Sequence, residues 1–175
     1  MRLFIAIQLD EALKRALTEM QDSLRRRGAG GNYTPEENLH LTLAFIGEYS
    51  DPDRVAEAMQ TVPFRPFSLR LEGFGSFGTL LWCGLGGQGE LDAYVRRLRR
   101  ALAEADIPFD RKRFSPHITL LRKAVFRGGK LPGVAVPEAE MEAERVSLMR
   151  SDRGKYGMIY TELAAVRPAE PLKGI

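Results

Sequence analysis

The chain has 175 residues, a formal net charge of +3, and 28% charged against 44% hydrophobic side chains. That balance is ordinary for a folded globular chain and not for a disordered one. The longest apolar runs, such as Leu3 to Ile7, are too short to span a bilayer, and Gln8, Asp10 and Glu11 follow with no small-residue cleavage pattern, so the chain reads as cytoplasmic.

In chain order, Arg2 to Leu9 alternates as a strand, with Leu3, Ile5, Ile7 and Leu9 on one face and Arg2, Phe4, Ala6 and Gln8 on the other. Asp10 is a helix N-cap. Leu13, Leu17, Met20 and Leu24 then recur at helical spacing until Gly28. A glycine-rich loop through Gly31 leads to a strand from Leu39 to Ile46. Asp51-Pro52 opens a short helix carrying Val55, Met59 and Val62, which Pro63 stops. Phe67 to Phe74 and Leu80 to Leu85 read as strands joined by a turn at Gly75 and Gly78. Leu91, Tyr94, Leu98 and Leu102 define a second long amphipathic helix. A strand around His117 follows, then a Gly/Pro-rich stretch from Gly128 to Pro137. Two last strands, Ala143 to Met149 and Met158 to Val166, are joined through Gly154 and Gly157. Pro168 closes the expected ordered part, and Pro171 to Ile175 is expected to fray.

The order strand, long helix, strand occurs twice, from Arg2 to Ile46 and from Leu80 to Leu121, which suggests an internal duplication of layout. Gly-containing turns favour antiparallel pairing. The expected fold is α+β: two pseudo-symmetric lobes, each a small antiparallel sheet with outer helices, around a central cleft, forming one two-lobed domain over residues 1–175.

The chain has two histidines, and each opens the same pattern: His40-Leu41-Thr42-Leu43 and His117-Ile118-Thr119-Leu120. Residues two apart on a strand point the same way, so each His shares a face with its Thr. Imidazole exchanges protons near neutral pH, and a pair can supply both an acid and a base. Opening a phosphodiester needs both, together with donors for the phosphoryl oxygens, which Thr hydroxyls and nearby Arg or Lys provide.

This scheme requires no metal. Neither motif has a carboxylate on its His/Thr face, and Cys83 stands alone in an apolar run, as a buried structural thiol would. There is no P-loop, and Gly84 to Gly89 reads as a strand-to-helix turn. The sequence pI is 9.2. Arginine-rich clusters on helices read as solvated faces, while Arg111-Lys112-Arg113 and Arg122-Lys123 flank the second motif and are placed to hold a phosphate.

At these motifs the chain resembles the two-histidine (2H) phosphoesterase superfamily, and within it the RNA 2′,3′-cyclic phosphodiesterases, or LigT-like 2′-5′ RNA ligases. The matching stretches are Arg2 to Ile7, Glu37 to Glu48, Leu81 to Leu85, Phe114 to Arg122, and Leu148 to Ser151 with Tyr160. The resemblance implies hydrolysis of a 2′,3′-cyclic phosphate at an RNA 3′ end to a 2′-phosphomonoester. It implies His40 as proton donor to the leaving oxygen, His117 as acceptor from water, and Thr42 and Thr119 on the phosphate oxygens. It also implies reversible 2′-5′ joining of RNA ends such as tRNA halves, with no nucleotide cofactor. The chain is expected to act as a monomer, without a metal or membrane partner.

Arg122 stands where the family often carries Arg. Strand parity sets it opposite His117, unless a bulge or the end of the strand at Leu121 turns it toward the phosphate. Tyr33 stands where relatives often have Trp, and Phe4 shares a face with Arg2. Both are candidates to stack on a base, with a surface loop for Tyr33 and core packing for Phe4 as the alternatives. Two other readings stay open: a module that binds RNA ends or cyclic nucleotides without turnover, and a sister phosphodiesterase acting on another small cyclic phosphate.

Overall fold

The computed structural model describes residues 1–86 and 89–168. Gly87 and Gln88 of the glycine run, and the segment from Pro171 to Ile175, lie outside the described residues.

Strand β1 (Arg2–Gln8) leads into helix α1 (Glu11–Arg26). Asp10 caps that helix by accepting the Leu13 amide N–H at 2.9 Å. β2 (Gly30–Tyr33) and a single 3₁₀ turn, Glu36–Asn38, precede β3 (His40–Glu48). α2 (Pro52–Gln60) is capped by Asp51, with Pro52 in its first turn. β4 (Phe67–Phe77) and β5 (Leu80–Gly86) form a hairpin. α3 (Gly89–Glu104) buries Leu91, Tyr94, Leu98 and Leu102, the residues whose spacing predicts it. β6 (His117–Val125), β7 (Glu140–Ala143), β8 (Val146–Gly154) and β9 (Gly157–Val166) follow.

The strands make two wholly antiparallel sheets, ordered β3-β1-β8-β9 and β2-β6-β5-β4-β7. The expected duplication is visible in this order. In each half the motif strand pairs with the strand that precedes the long helix: β3 with β1, and β6 with β5. On the far side of that strand comes one more, β8 beside β1 and β4 beside β5. The helices cross over, because α1 packs on β6 and β7 while α3 packs on β3 and α2. One continuous hydrophobic core therefore joins both sheets, with Leu3, Ile5 and Ile7 from the first and Leu81, Cys83 and Ile118 from the second. Cys83 is fully buried, as expected, and burial pushes its thiol pKa up to about 12.

Three local expectations are corrected. The glycine-rich segment before the first motif is a strand, not only a loop: Gly30–Tyr33 pairs with β6. The predicted strand Ala143 to Met149 is split. Residues up to Ala143 pair with β4 in one sheet, and those from Val146 pair with β1 in the other. Gly75 lies inside β4, where a Cβ would stand 2.6 Å from the Trp82 ring. Its role is to make room for that indole, and the turn is made by Gly78, whose φ is +59°, and Thr79.

Candidate active site

Both motif strands are irregular at the same point. In β3 the register passes from Ala6↔Thr42 to Ile5↔Ala44, leaving Leu43 as an extra residue. In β6 it passes from Trp82↔Thr119 to Leu81↔Leu121, leaving Leu120 extra. The fourth residue of each H-x-T-L is thus the bulged one. Its carbonyl is met by a helix side chain arriving from the other half, and that of Leu120 also accepts the Thr34 amide N–H at 3.0 Å. Gln21 of α1 donates to Leu120 O at 3.0 Å and to Thr34 O at 2.8 Å. Arg99 of α3 donates to Leu43 O at 3.2 Å through Nη2.

The bulge decides where Arg122 goes. Leu120 and Leu121 both point into the core, so the alternation skips a step and Arg122 emerges on the face of His117 and Thr119. Of the two possibilities open in the sequence, the bulge is the one realised. In β3 the residue at the same place after the bulge is Phe45. Its ring is 36% exposed and lies under the Arg2 guanidinium at 5.2 Å.

Each imidazole is held by the carbonyl two residues before it. His40 Nδ1 lies 2.7 Å from Asn38 O, and His117 Nδ1 lies 2.7 Å from Ser115 O. A carbonyl only accepts, so each Nδ1 carries a proton and each Nε2 is left for chemistry. His40 Nε2 also sits 2.8 Å from the Thr42 hydroxyl. Burial lowers the His40 pKa below the ordinary 6.5. The Asn38 bond opposes that shift, and the charges of Arg122 and His117 add to it.

Aromatic rings wall both imidazoles. Phe4 and Tyr160 lie 5.1 and 5.2 Å from His40, centroid to centroid. Phe77 lies 5.2 Å from His117, edge to face, and Trp82 lies 6.4 Å away.

His40, Thr42, His117, Thr119 and Arg122 all line one cleft of about 1040 Å³. A smaller recess of about 230 Å³ opens beside it, sharing His40, Thr42 and Arg122 and adding Arg2 and Phe45. The cleft therefore offers two Nε2 atoms, two hydroxyls and a guanidinium to a single occupant, a set suited to an anionic centre that exchanges protons on two sides. Among the described residues no group of three or more His, Cys, Asp and Glu side chains is placed to hold a metal ion.

The two aromatic candidates fare differently from their expected roles. Phe4 is 4% exposed and packs against His40 and Tyr160, so it seats the imidazole and has no free face for a base. Tyr33 lines the cleft from β2, not from a loop. Its hydroxyl donates to Ala29 O at 2.6 Å and the Arg25 guanidinium covers its ring at 4.1 Å, which fixes it in place.

Several residues of the site carry no signal in the motifs: Asn38, Phe77, Trp82, Gln21 and Arg99. Asn38 and Trp82 do fall within the stretches that resemble the family, and Trp82 sits directly across from Thr119 on the neighbouring strand.

Two half-related sheets, each presenting one His-x-Thr pair to a shared cleft, define the two-histidine phosphoesterase arrangement. The family model described as "2'-5' RNA ligase superfamily" matches residues 9–155. The chain is 32% identical to the RNA 2′,3′-cyclic phosphodiesterase of Thermotoga maritima, over 93% of each chain. It is 34% identical to that of Thermus thermophilus, over 93% of this chain and 88% of the relative. Among solved structures, Escherichia coli LigT complexed with 3′-AMP superposes with a TM-score of 0.80 at 25% identity, covering 97% of this chain and 98% of that one. The chain belongs to the 2′-5′ RNA ligase superfamily. Among the described residues no helix is long and apolar enough to cross a membrane.

Proposed function

We propose that this protein is an RNA 2′,3′-cyclic phosphodiesterase that opens the cyclic end to a 2′-phosphomonoester without a metal or nucleotide cofactor. The observation that carries the reading is the convergence of both His-x-Thr pairs and Arg122 on one cleft. The cyclic phosphate lies between the imidazoles. His117 Nε2 takes a proton from water as the water oxygen bonds to phosphorus. The bond from phosphorus to O3′ breaks, and His40 Nε2 delivers its proton to O3′. Thr42, Thr119 and Arg122 donate to the remaining phosphoryl oxygens.

A lowered pKa makes His40, once protonated, a ready donor, and the anionic phosphate beside it favours that protonated state. Replacing water by the 5′ hydroxyl of a second strand gives a 2′-5′ diester by the same bond changes, so joining of RNA ends, tRNA halves included, belongs to the same site. The whole chain works as one two-lobed domain, as a monomer in the cytoplasm.

The test is RNA ending in a 2′,3′-cyclic phosphate, incubated with EDTA-treated protein and followed by phosphorus NMR. The cyclic resonance is expected to be replaced by a 2′-phosphomonoester. Persistence of the cyclic end, or appearance of a 3′-phosphate, counts against the reading.

A further inference from the structure

We infer that Tyr156 is a stacking platform for the nucleotide on the 5′ side of the cyclic end, so that the cleft is built for an RNA strand and not for a mononucleotide. This rests on the cyclic phosphodiesterase reading and adds a second binding subsite to it.

Three tyrosines line the cleft among the described residues: Tyr33, Tyr156 and Tyr160. Tyr33 is covered by Arg25, and Tyr160 stands edge-on to His40. Tyr156 is the most open of the three, with 91% of its surface exposed and Lys155 reaching over one face. A base that covers an aromatic ring at the border of a cleft gains free energy by removing apolar surface from water. Bases stack on such rings whatever their identity, because each base has a π-face.

The hairpin that carries the ring is also tied to the chemistry. The β8–β9 ladder continues to Gly154↔Gly157, leaving Lys155 and Tyr156 as the two residues of the turn. The buried Asn38 side chain donates to Met158 O at 2.9 Å, while the Asn38 carbonyl accepts from His40 Nδ1–H. One residue thus ties the hairpin to the imidazole. Lys155 Nζ lies 5.5 Å from the Tyr156 ring, and Lys112 lines the same cleft, so cationic groups accompany the path that a phosphate backbone would take. At about 1040 Å³ the cleft lies just above the range of roughly 300–1,000 Å³ typical of small-molecule pockets.

The experiment compares kcat/KM for a cyclic-ended trinucleotide with that for a 2′,3′-cyclic mononucleotide. In Tyr156→Ala the ratio of trinucleotide to mononucleotide is expected to fall about tenfold, through KM of the trinucleotide, as loss of one stacked base predicts. Tyr156→Trp is expected to restore it, because a flat ring is what the subsite needs. A ratio unchanged in Tyr156→Ala, or one that Trp fails to restore, overturns the inference while wild-type turnover of the mononucleotide leaves the cyclic phosphodiesterase reading standing. Wild-type protein inert on both substrates overturns the two together.

Discussion

The strands carrying His40 and His117 are built alike and finished differently. Both pair with the strand before a long helix, both bulge at the fourth motif residue, and both hold Nδ1 on a backbone carbonyl at 2.7 Å. The differences lie in what surrounds this shared frame. His40 is bonded to Thr42 and its pKa is lowered by burial, whereas His117 is the more open ring. After the bulge, the second strand places Arg122 and the first places Phe45. Behind the bulge, the second strand is supported by a neutral, buried Gln21 and the first by the partly exposed cation Arg99. A duplicated frame fixes where two imidazoles stand, and in the proposed mechanism their unequal surroundings suit one to act as acid and the other as base.

The largest expected effect tests whether both halves are needed. His40→Ala and His117→Ala are each expected to lower kcat by about 10²–10⁴ on a cyclic-ended RNA, since each removes one proton transfer. Wild-type turnover in either variant would mean that one half suffices. Next in size is the Arg122 and Phe45 contrast. Arg122→Met is expected to cost about 10²-fold in kcat/KM by removing a donor to the phosphoryl oxygens. Phe45→Met is expected to cost less, and equal losses would erase the distinction.

The bulge supports come third and are read in stability. Gln21→Leu removes one of two donors from the buried Leu120 carbonyl and a donor from the part-buried Thr34 carbonyl, and is expected to cost about 1–3 kcal/mol in urea unfolding, with m unchanged. Arg99→Met is expected to cost less, because its carbonyl partner lies nearer to water. The smallest effect is a shift in pH. One limb of the kcat/KM profile is expected below the ordinary imidazole value of 6.5, reflecting His40. Arg122→Met removes a charge that opposes protonation of His40, so that limb is expected to move to higher pH; a downward shift would contradict the electrostatic account.

Much of this was legible in the sequence because it rests on local pattern. The cap at Asp10, the helical spacing from Leu13 to Leu24 and the paired motifs each announce themselves within a few residues. What escaped depends on distant partners. β2 is a short edge strand of Gly30, Gly31, Asn32 and Tyr33, with no alternation to mark it; its pairing is supplied by β6. The change of sheet between Ala143 and Val146 leaves an almost unbroken apolar rhythm. The bulges were written in the adjacent pairs Leu43-Ala44 and Leu120-Leu121, two inward residues in a row, but strict strand parity has no place for such a pair. The supporting Gln21 and Arg99 sit on helices whose packing partners are set by the crossover between halves, which no local window contains.

The central claim, that one phosphate is shared by both imidazoles, meets its most direct test in nitrogen-15 NMR of the ring nitrogens, because the chain has only two histidines. Titration with a nucleoside 2′-phosphate is expected to shift Nε2 of His40 and of His117 along one binding curve with a single Kd. A titration in which one ring responds and the other stays unmoved would contradict it.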